Sequence, residues 1–214
     1  MDERSVRSAP TSPLRIGDRA PAFSARSTSG PVDLDELRGR WVVFFSHPAD
    51  FTPVCTTEFV ALARRERDFA DRNCTLIGLS VDSLFSHLAW LRLIRDTFGV
   101  EVRFPVVEDP TMVIGRAYGM IGSEDADSAT IRSTYFIDPD GVIRAITTYP
   151  ANVGRSIPEM LRLLDALQAA DTTDALVPAD WHSGEPLLRQ ASTELDQIFA
   201  GAAPGEWFTR EQEG

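Results

Sequence analysis

RWVVFFSHPADFTPVCTTEF, residues 40–59, changes from strand-like to helix-like patterning within one short stretch. Its first part, RWVVFFS (Arg40–Ser46), is a continuous apolar run that is too short for a helix and rich in β-branched and aromatic residues, which predicts a buried strand. From Pro53 onward the apolar residues, Cys55 and Phe59 among them, recur at helical spacing. A strand that passes through a short loop into a helix indicates an α/β unit, with Cys55 in the first helical turn.

Strand-like and helix-like segments alternate along the rest of the chain. CTLIGLSVD (Cys74–Asp82) predicts a second buried strand, and the amphipathic stretch between Ser83 and Gly99 predicts a helix with a cap at each end. The later segments are a short strand at FPVVED, a short helix over Pro110–Tyr118, a β-hairpin in STYFIDPDGVIRAITTYP that turns at Asp140-Gly141, and a helix over Ser156–Ala170. This order predicts an α/β fold whose mixed central sheet carries helices on both faces, with the thioredoxin-like arrangement among its candidates.

Three regions are expected along the chain. Residues 1–13 are polar and contain proline, which is typical of a flexible N-terminal extension. Residues 14–171 contain the predicted sheet and helices and form the main domain. Residues 172–214 begin with turn formers, VPADWHSGEP, and continue into a shorter amphipathic piece, so we expect a C-terminal arm that serves dimerisation.

Composition excludes several classes of function. The net charge of −11 opposes binding to nucleic acid or to anionic membrane surfaces, and no apolar run approaches the roughly 20 residues of a membrane span. The start of the chain has no apolar signal-peptide core, so we expect a cytoplasmic protein. The chain has no lysine, which removes Schiff-base catalysis and the phosphate-loop lysine. Its two cysteines form no CxxC, which leaves metal-free thiol chemistry or inert burial.

The position of Cys55 favours thiol chemistry over inert burial. Thr52 is a good N-cap residue and Pro53 suits the first helical position, so Cys55 falls among unpaired backbone N–H groups at the positive end of the helix dipole. These groups stabilise a thiolate, which is the nucleophilic form of cysteine. A small buried core cysteine is the alternative, and the strand, loop and cap around Cys55 make it the less favoured one.

The stretch PADFTPVC resembles the PxxxTxxC signature of peroxiredoxins, with Pro48, Thr52 and Cys55 at its defining positions. The resemblance extends to Arg132 before STYFIDPDG and to YPANVGRSIPEMLRLLDALQ, and it spans the chain from about Leu14 to Trp181. The runs SHPADFTPVCTTE and VPADWHSGE are similar to the one-cysteine class, the peroxiredoxin-six type. The resemblance implies a thioredoxin-like peroxidase domain over residues 14–171.

The resemblance also implies a role for each candidate site residue. Cys55 is expected to attack the peroxide, Thr52 to hydrogen-bond the peroxide and the thiolate, and Pro48 to shield the sulfur from water. Arg132 is expected to hold the thiolate and the transition state by a charge-assisted contact; without the resemblance it would be interpreted as a solvated residue at a strand edge. The supporting residues are Glu58 and Arg155, which brace the catalytic arginine in this family, and His47, which either tunes the site or is structural.

Neither a metal nor an organic cofactor is expected. His87 and His182 have no cysteine or histidine partner at metal-ligand spacing, and we interpret both as structural or solvated.

The second cysteine separates this chain from the two-cysteine peroxiredoxins. Those proteins carry a resolving cysteine before a PAxW segment near the C-terminus, whereas Val177 occupies that place here. Cys74 opens a predicted strand with core-like neighbours, which favours a small edge or core residue over a resolving thiol. The phospholipase activity of some members of the family is not expected, because the chain has no GxSxG serine before its first predicted strand.

Two functions remain open from the sequence. The first is a thiol-dependent peroxidase that reduces hydrogen peroxide and small organic hydroperoxides through a Cys55 sulfenic acid, which an external thiol recycles. The second is a redox sensor or chaperone module that is switched by oxidation of the same sulfur. The implied partners are therefore a peroxide substrate, an external thiol reductant, and further copies of the chain in a homodimer or a larger ring.

Overall fold

The computed structural model describes residues 13–121, 129–173, 175–200 and 205–212. The chain forms two compact units, Met1–Ile157 and Pro158–Gly214. The division predicted between residues 171 and 172 is a different one and stays a prediction. The predicted N-terminal extension, residues 1–13, lies outside the described residues except for its last member.

The first unit is built around a seven-stranded sheet with the order β2-β1-β5-β4-β3-β6-β7. The pairs β3–β4 and β4–β5 are parallel, and the pairs that involve β1, β2, β6 and β7 are antiparallel, so the sheet is mixed. The strands are β1 (Ser24–Ser27), β2 (Gly30–Asp33), β3 (Trp41–Ser46), β4 (Cys74–Ser80), β5 (Val106–Glu108), β6 (Arg132–Ile137) and β7 (Ile143–Tyr149). The helices of this unit are a 3-10 turn (Leu34–Leu37), α1 (Pro53–Ala70), α2 (Leu84–Phe98) and α3 (Val113–Ala117).

Helices cover both faces of this sheet. Every residue of β3 is buried, and its side chains alternate between the faces because successive residues of a strand point in opposite directions. Phe45 contacts Phe59 of α1 on one face, with ring centroids 5.8 Å apart. Phe44 contacts Tyr118, at the end of α3, on the other face, with ring centroids 4.7 Å apart. The predicted mixed sheet with helices on both faces is therefore confirmed.

The second unit contains most of α4 (Ile157–Thr172) and shorter elements, which are α5 (Leu195–Ala200), α6 (Glu206–Thr209) and the two-stranded sheet of β8 (Leu187–Leu188) with β9 (Glu211–Gln212). Its small core consists of Ala166, Ala175, Trp181 and Leu187. Trp181 also donates a hydrogen bond from its indole nitrogen to the backbone oxygen of Glu185 at 2.9 Å. This bond and the apolar contacts fix the start of the segment that follows α4.

Most of the predicted elements lie within a few residues of the observed ones. The β-hairpin turns at Gly141, which has the positive φ of 76° that the turn requires. The third helix is shorter than predicted, and β1 and β2 were not predicted at all. No helix in the described part of the chain is long and apolar enough to cross a membrane.

Candidate active site

Cys55 lies in the first turn of α1, just beyond the loop that follows β3. Thr52 is the N-cap residue, with an extended backbone at φ −98° and ψ 149°, and Pro53 begins the helix. The Thr52 hydroxyl makes no capping bond to the helix, contrary to expectation, and donates instead to the backbone oxygen of Ala49 at 2.9 Å. The Cys55 side chain is fully buried, with 0% of its surface exposed. The loop therefore leads directly into the helical turn that carries the buried sulfur.

Arg132 approaches the sulfur from the neighbouring strand β6. Its Nη1 atom lies 3.2 Å from the Sγ atom of Cys55 and 2.7 Å from Oε2 of Glu58. Its Nε and Nη2 atoms donate to the backbone oxygen of Ala151 at 3.1 and 2.8 Å. Only 2% of Arg132 is exposed, so its interpretation as a solvated edge residue is wrong. All three nitrogens of the guanidinium are therefore engaged, in four contacts, and Nη1 faces both the sulfur and Glu58.

Glu58 and Arg155 form a buried charge cluster with Arg132, the residue that contacts the sulfur. Glu58 accepts hydrogen bonds from Arg132 through Oε2, and from Arg155 through both carboxylate oxygens at 3.0 and 2.9 Å. Burial favours the neutral carboxyl, but the hydrogen bonds and charge of Arg155 outweigh it, and the pKa of Glu58 lies below its usual value. Two guanidinium groups and one carboxylate leave one net positive charge in the cluster, and the guanidinium of Arg132 is the member that lies beside the sulfur.

His47 does not contact the sulfur through either ring nitrogen. Its Nε2 atom is 3.0 Å from Oδ1 of Asp50, and its Nδ1 atom has no hydrogen-bond partner. Asp50 is also bonded to His87, whose Nδ1 atom is 2.8 Å from Oδ2. Burial lowers the pKa of His47, and the bond to Asp50 offsets only part of this effect. Burial works to raise the pKa of Asp50, but hydrogen bonds with His47 and His87 hold it below its usual range.

Asp50 and its contacts were missed at the sequence level. Its only local signal is its place three residues after His47, inside the peroxiredoxin-like motif. The sequence left His87 as either structural or solvated. It is structural, since it is fully buried and bonded to Asp50. The side chain of His182, 69% exposed, is solvated.

His47, Asp50 and His87 form the one group among the described residues that brings three potential metal ligands within 4.8 Å of one another. Each imidazole uses one ring nitrogen on the carboxylate, and the second nitrogen of each has no hydrogen-bond partner. A catalytic metal site keeps an open position for water or substrate, whereas this group is buried and bonded within itself. The arrangement fits a hydrogen-bonded network better than a metal centre.

Residues 16–146, more than half of the chain, match the family model described as AhpC/TSA family. The chain belongs to the AhpC/TSA family of peroxiredoxins. A peroxiredoxin of Aquifex aeolicus (strain VF5) is 52% identical over 168 residues, which are 78% of this chain and 76% of the relative. Thiol-dependent peroxidase activity is the activity of this family.

Solved peroxiredoxins of both mechanistic classes share this fold. A yeast mitochondrial one-cysteine peroxiredoxin matches with a TM-score of 0.83 and 37% identity, over 94% of this chain and 100% of that one. Peroxiredoxin 6 of Arenicola marina matches with a TM-score of 0.83 and 31% identity, over 94% and 98%. A two-cysteine peroxiredoxin of Plasmodium vivax matches with a TM-score of 0.78 and 28% identity, over 88% and 100%. These similarities confirm the thioredoxin-like fold, and they include peroxiredoxins of both the one-cysteine and the two-cysteine class.

The two cysteines of this peroxiredoxin lie toward opposite ends of the sheet. Cys74 pairs with Trp41 at the start of β3, whereas the loop to Cys55 leaves from Ser46 at the end of that strand. Five residues of strand span roughly 16 Å. Burial raises the pKa of Cys74 to about 12, so this thiol stays protonated at neutral pH. Both cysteines are free.

Proposed function

We propose that this peroxiredoxin reduces hydrogen peroxide and small organic hydroperoxides by a one-cysteine cycle at Cys55. The observation that carries the proposal is the separation of the thiols: Cys55 lies beyond the end of β3, and Cys74 lies beside its start. A disulfide needs Cα atoms within about 7 Å of each other, which this placement opposes. Val177, in the position of a resolving cysteine, supports the same conclusion.

In the first half of the cycle, the Cys55 thiolate attacks one oxygen of the peroxide. An S–O bond forms, the O–O bond breaks, and the leaving oxygen takes up a proton to become water or an alcohol. The products are a Cys55 sulfenic acid and the reduced peroxide. Arg132, at 3.2 Å from the sulfur, is placed to stabilise the negative charge that moves from sulfur to oxygen.

Thr52 and Pro48 orient and protect the peroxide in this scheme. The hydroxyl of Thr52 donates its one proton to Ala49, so its oxygen is free to accept a hydrogen bond from the O–H of a peroxide. Pro48 is half-buried in the loop and has no backbone N–H, so it adds an apolar wall without a competing donor. Glu58 and Arg155 hold Arg132 in place, and His47 acts through the loop.

In the second half, an external thiol attacks the sulfenic acid. A mixed disulfide forms with release of water, and a second thiol displaces Cys55 from it, so two thiols are oxidised for each peroxide reduced. The solved yeast relative is described as resolved through glutathione and thioredoxin systems. We propose reductants of the same thiol class for this chain. The cycle as proposed uses no metal or organic cofactor.

Replacement of each cysteine by serine tests the assignment. Cys55→Ser should abolish peroxide consumption, and Cys74→Ser should retain most of it, as measured with a panel of thiol reductants. Peroxide without reductant should give a sulfenic acid that a dimedone-type reagent traps at Cys55, and excess peroxide should convert it to sulfinic acid. A stoichiometric disulfide between Cys55 and Cys74 in mass mapping would overturn the one-cysteine cycle. A single oxidation that no reductant reverses would favour the alternative of a redox sensor.

A further inference from the structure

The loop between β3 and α1 is held by a carboxylate that belongs to none of the proposed catalytic contacts. Asp50 lies in this loop, and its side chain accepts hydrogen bonds from His47 at 3.0 Å and from His87 at 2.8 Å. His87 belongs to α2, 37 residues further along the chain. All three side chains are buried, with exposed fractions of 0% for His47, 6% for Asp50 and 0% for His87. The loop is thereby tied to the first turns of α2.

The backbone of Asp50 makes a second attachment. Its N–H donates to Oδ2 of Asp82 at 2.9 Å, and the same oxygen accepts from the hydroxyl of Ser80 at 2.9 Å. Ser80 is the last residue of β4, so the loop is also tied to the central sheet. We call the group formed by His47, Asp50, Asp82 and His87 the Asp50 latch.

The residue that follows the latch has an unfavourable backbone. Phe51 has a φ of 56°, in the left-handed region that side chains other than glycine rarely adopt. Its side chain is 54% exposed, so burial offers little compensation for this conformation. Such a conformation persists only when the surrounding contacts impose it. Phe51 lies between Asp50, whose N–H donates to Asp82, and Thr52, whose hydroxyl donates to Ala49, so hydrogen bonds hold the chain on both sides of it.

The second half of the proposed cycle needs the loop to open. The Cys55 side chain is 0% exposed, so the sulfur of an external thiol cannot reach it while the loop and the first turn of α1 stay in place. A peroxide also needs an opening to touch the buried sulfur, but it is much smaller than a reductant, so a smaller displacement of the loop admits it. A nearly closed loop, which keeps Arg132 beside the sulfur, suits oxidation, whereas reduction by an external thiol requires a wider opening.

We propose that the Asp50 latch holds this loop closed over Cys55 and thereby sets how often the oxidised sulfur is accessible to an external thiol. Asp50, His87 and Asp82 are positioning residues in this role, because they act through the loop and touch neither substrate nor sulfur. A buried carboxylate that loses one of its donors is poorly solvated. The open loop, in which water solvates Asp50, then becomes more favourable. The effect of the latch on reduction of the Cys55 sulfenic acid rests on the proposed one-cysteine cycle, whereas the closing of the loop by the latch does not.

Two replacements of His87 test the latch. His87→Leu removes the donor to Asp50 and keeps an apolar side chain in the buried space. His87→Asn is the matched control, because its amide nitrogen is attached to Cγ, as Nδ1 is in histidine, and can still donate to Asp50. Reduced protein is treated either with hydrogen peroxide or with a bulky aromatic disulfide reagent, and modification at each cysteine is followed by mass spectrometry.

For His87→Leu we expect the bulky reagent to modify Cys55 at least about tenfold faster than in the unaltered protein, since opening is easier. We expect oxidation of Cys55 by hydrogen peroxide to be slower, since Thr52 and Arg132 are less well placed. A change in thiolate fraction would move both rates in the same direction, so opposite changes identify opening. His87→Asn should stay within about threefold of the unaltered protein in both rates.

Cys74 serves as an internal reporter of global unfolding in the same experiment. It is 7% exposed and lies in β4, so it reacts only when the sheet opens. Modification of Cys55 alone supports the latch, whereas equal acceleration at both cysteines, or no acceleration at Cys55, overturns it. If His87→Leu does not fold, Asp82→Ala removes the backbone attachment instead and should give the same opposite changes. Labelling by the disulfide reagent needs no turnover, so a failed one-cysteine cycle would not alter this result.

Discussion

The guanidinium of Arg132 makes more contacts than the ammonium group of a lysine could make in the same place. Its guanidinium reaches the Cys55 sulfur, Glu58 and the backbone of Ala151 at the same time. Lysine offers one nitrogen on a flexible stem and cannot reproduce this fork. We expect Arg132→Lys to lower the rate constant for Cys55 oxidation by hydrogen peroxide about 10²–10³-fold, as measured by stopped flow. Arg65→Lys, an exposed arginine on α1, is the control; an unchanged rate in Arg132→Lys would remove Arg132 from the site.

Glu58 gives the site a pH-dependent stability. Because its pKa is lowered in the folded protein, its contribution is complete above its ordinary value of 4.5 and is lost as the pH falls through the lower folded value. Glu58→Gln leaves two buried arginines without their carboxylate and should lower the free energy of unfolding by about 3–5 kcal/mol at pH 7. The difference from the unaltered protein should shrink as the pH falls.

Urea denaturation at a series of pH values measures this difference. Asp68→Asn, on the exposed side of the same helix, should change the unfolding free energy little at any pH. A loss in Glu58→Gln that stayed constant down to acid pH would contradict the assigned titration.

The residues of the site differ in how far the sequence reveals them. Cys55 could be placed because a strand, a cap and a helix start are local patterns. Arg132 came from the family resemblance, since by itself it reads as a solvated strand residue. The bond between Asp50 and His87 joins residues 37 apart on different elements, and no local spacing encodes it. Contacts that depend on how elements pack are the part that required the structure.

At the level of elements, the junction between the loop and α1 depends on Thr52. Its hydroxyl closes the preceding turn by donating to Ala49, and its oxygen is free to accept from a peroxide. Thr52→Ser keeps the hydroxyl and should retain most of the activity. Thr52→Val keeps the shape but loses both functions, so we expect a fall of about 10–100-fold in the oxidation rate and about 1 kcal/mol in stability.

Stopped-flow oxidation and urea denaturation of the serine and valine variants check these values. Equal rates in the two variants would show that the hydroxyl is not needed for the reaction with peroxide.

The strands and helices that could be predicted share a clear apolar pattern. β3, β4 and β6 are buried runs, and α1 and α2 have apolar faces. By contrast, β1 and β2 read SARS and GPVD, are mostly exposed or half-buried, and lie at one edge of the sheet. Their polar composition gives no alternation to detect, since tertiary pairing rather than propensity makes them strands.

At the scale of the whole molecule, the last forty residues expose large apolar side chains. Leu195, Phe199, Trp207 and Phe208 are between 41% and 75% exposed. Exposed apolar groups of this size are typical of interaction surfaces, and we predict that they contribute to a homodimer or larger ring. Light scattering after gel filtration should give a mass of at least two chains. Phe199→Asp combined with Trp207→Asp should shift it toward one chain.

Ser192→Asp combined with Gln197→Asp adds the same charge to the same segment without removing apolar surface and should leave the mass unchanged. A single-chain mass for the unaltered protein would contradict the predicted assembly.

The division of the chain also separates the residues of the candidate site from the exposed apolar side chains of the tail. Cys55, Glu58, Arg132 and Arg155 all belong to the unit Met1–Ile157. We therefore predict that substitutions in the tail alter how copies of the chain associate and leave the residues of the candidate site unchanged. Related chains with this fold could therefore differ in the residues of the tail, and in their assembly, and still share the residues of the proposed peroxidase site.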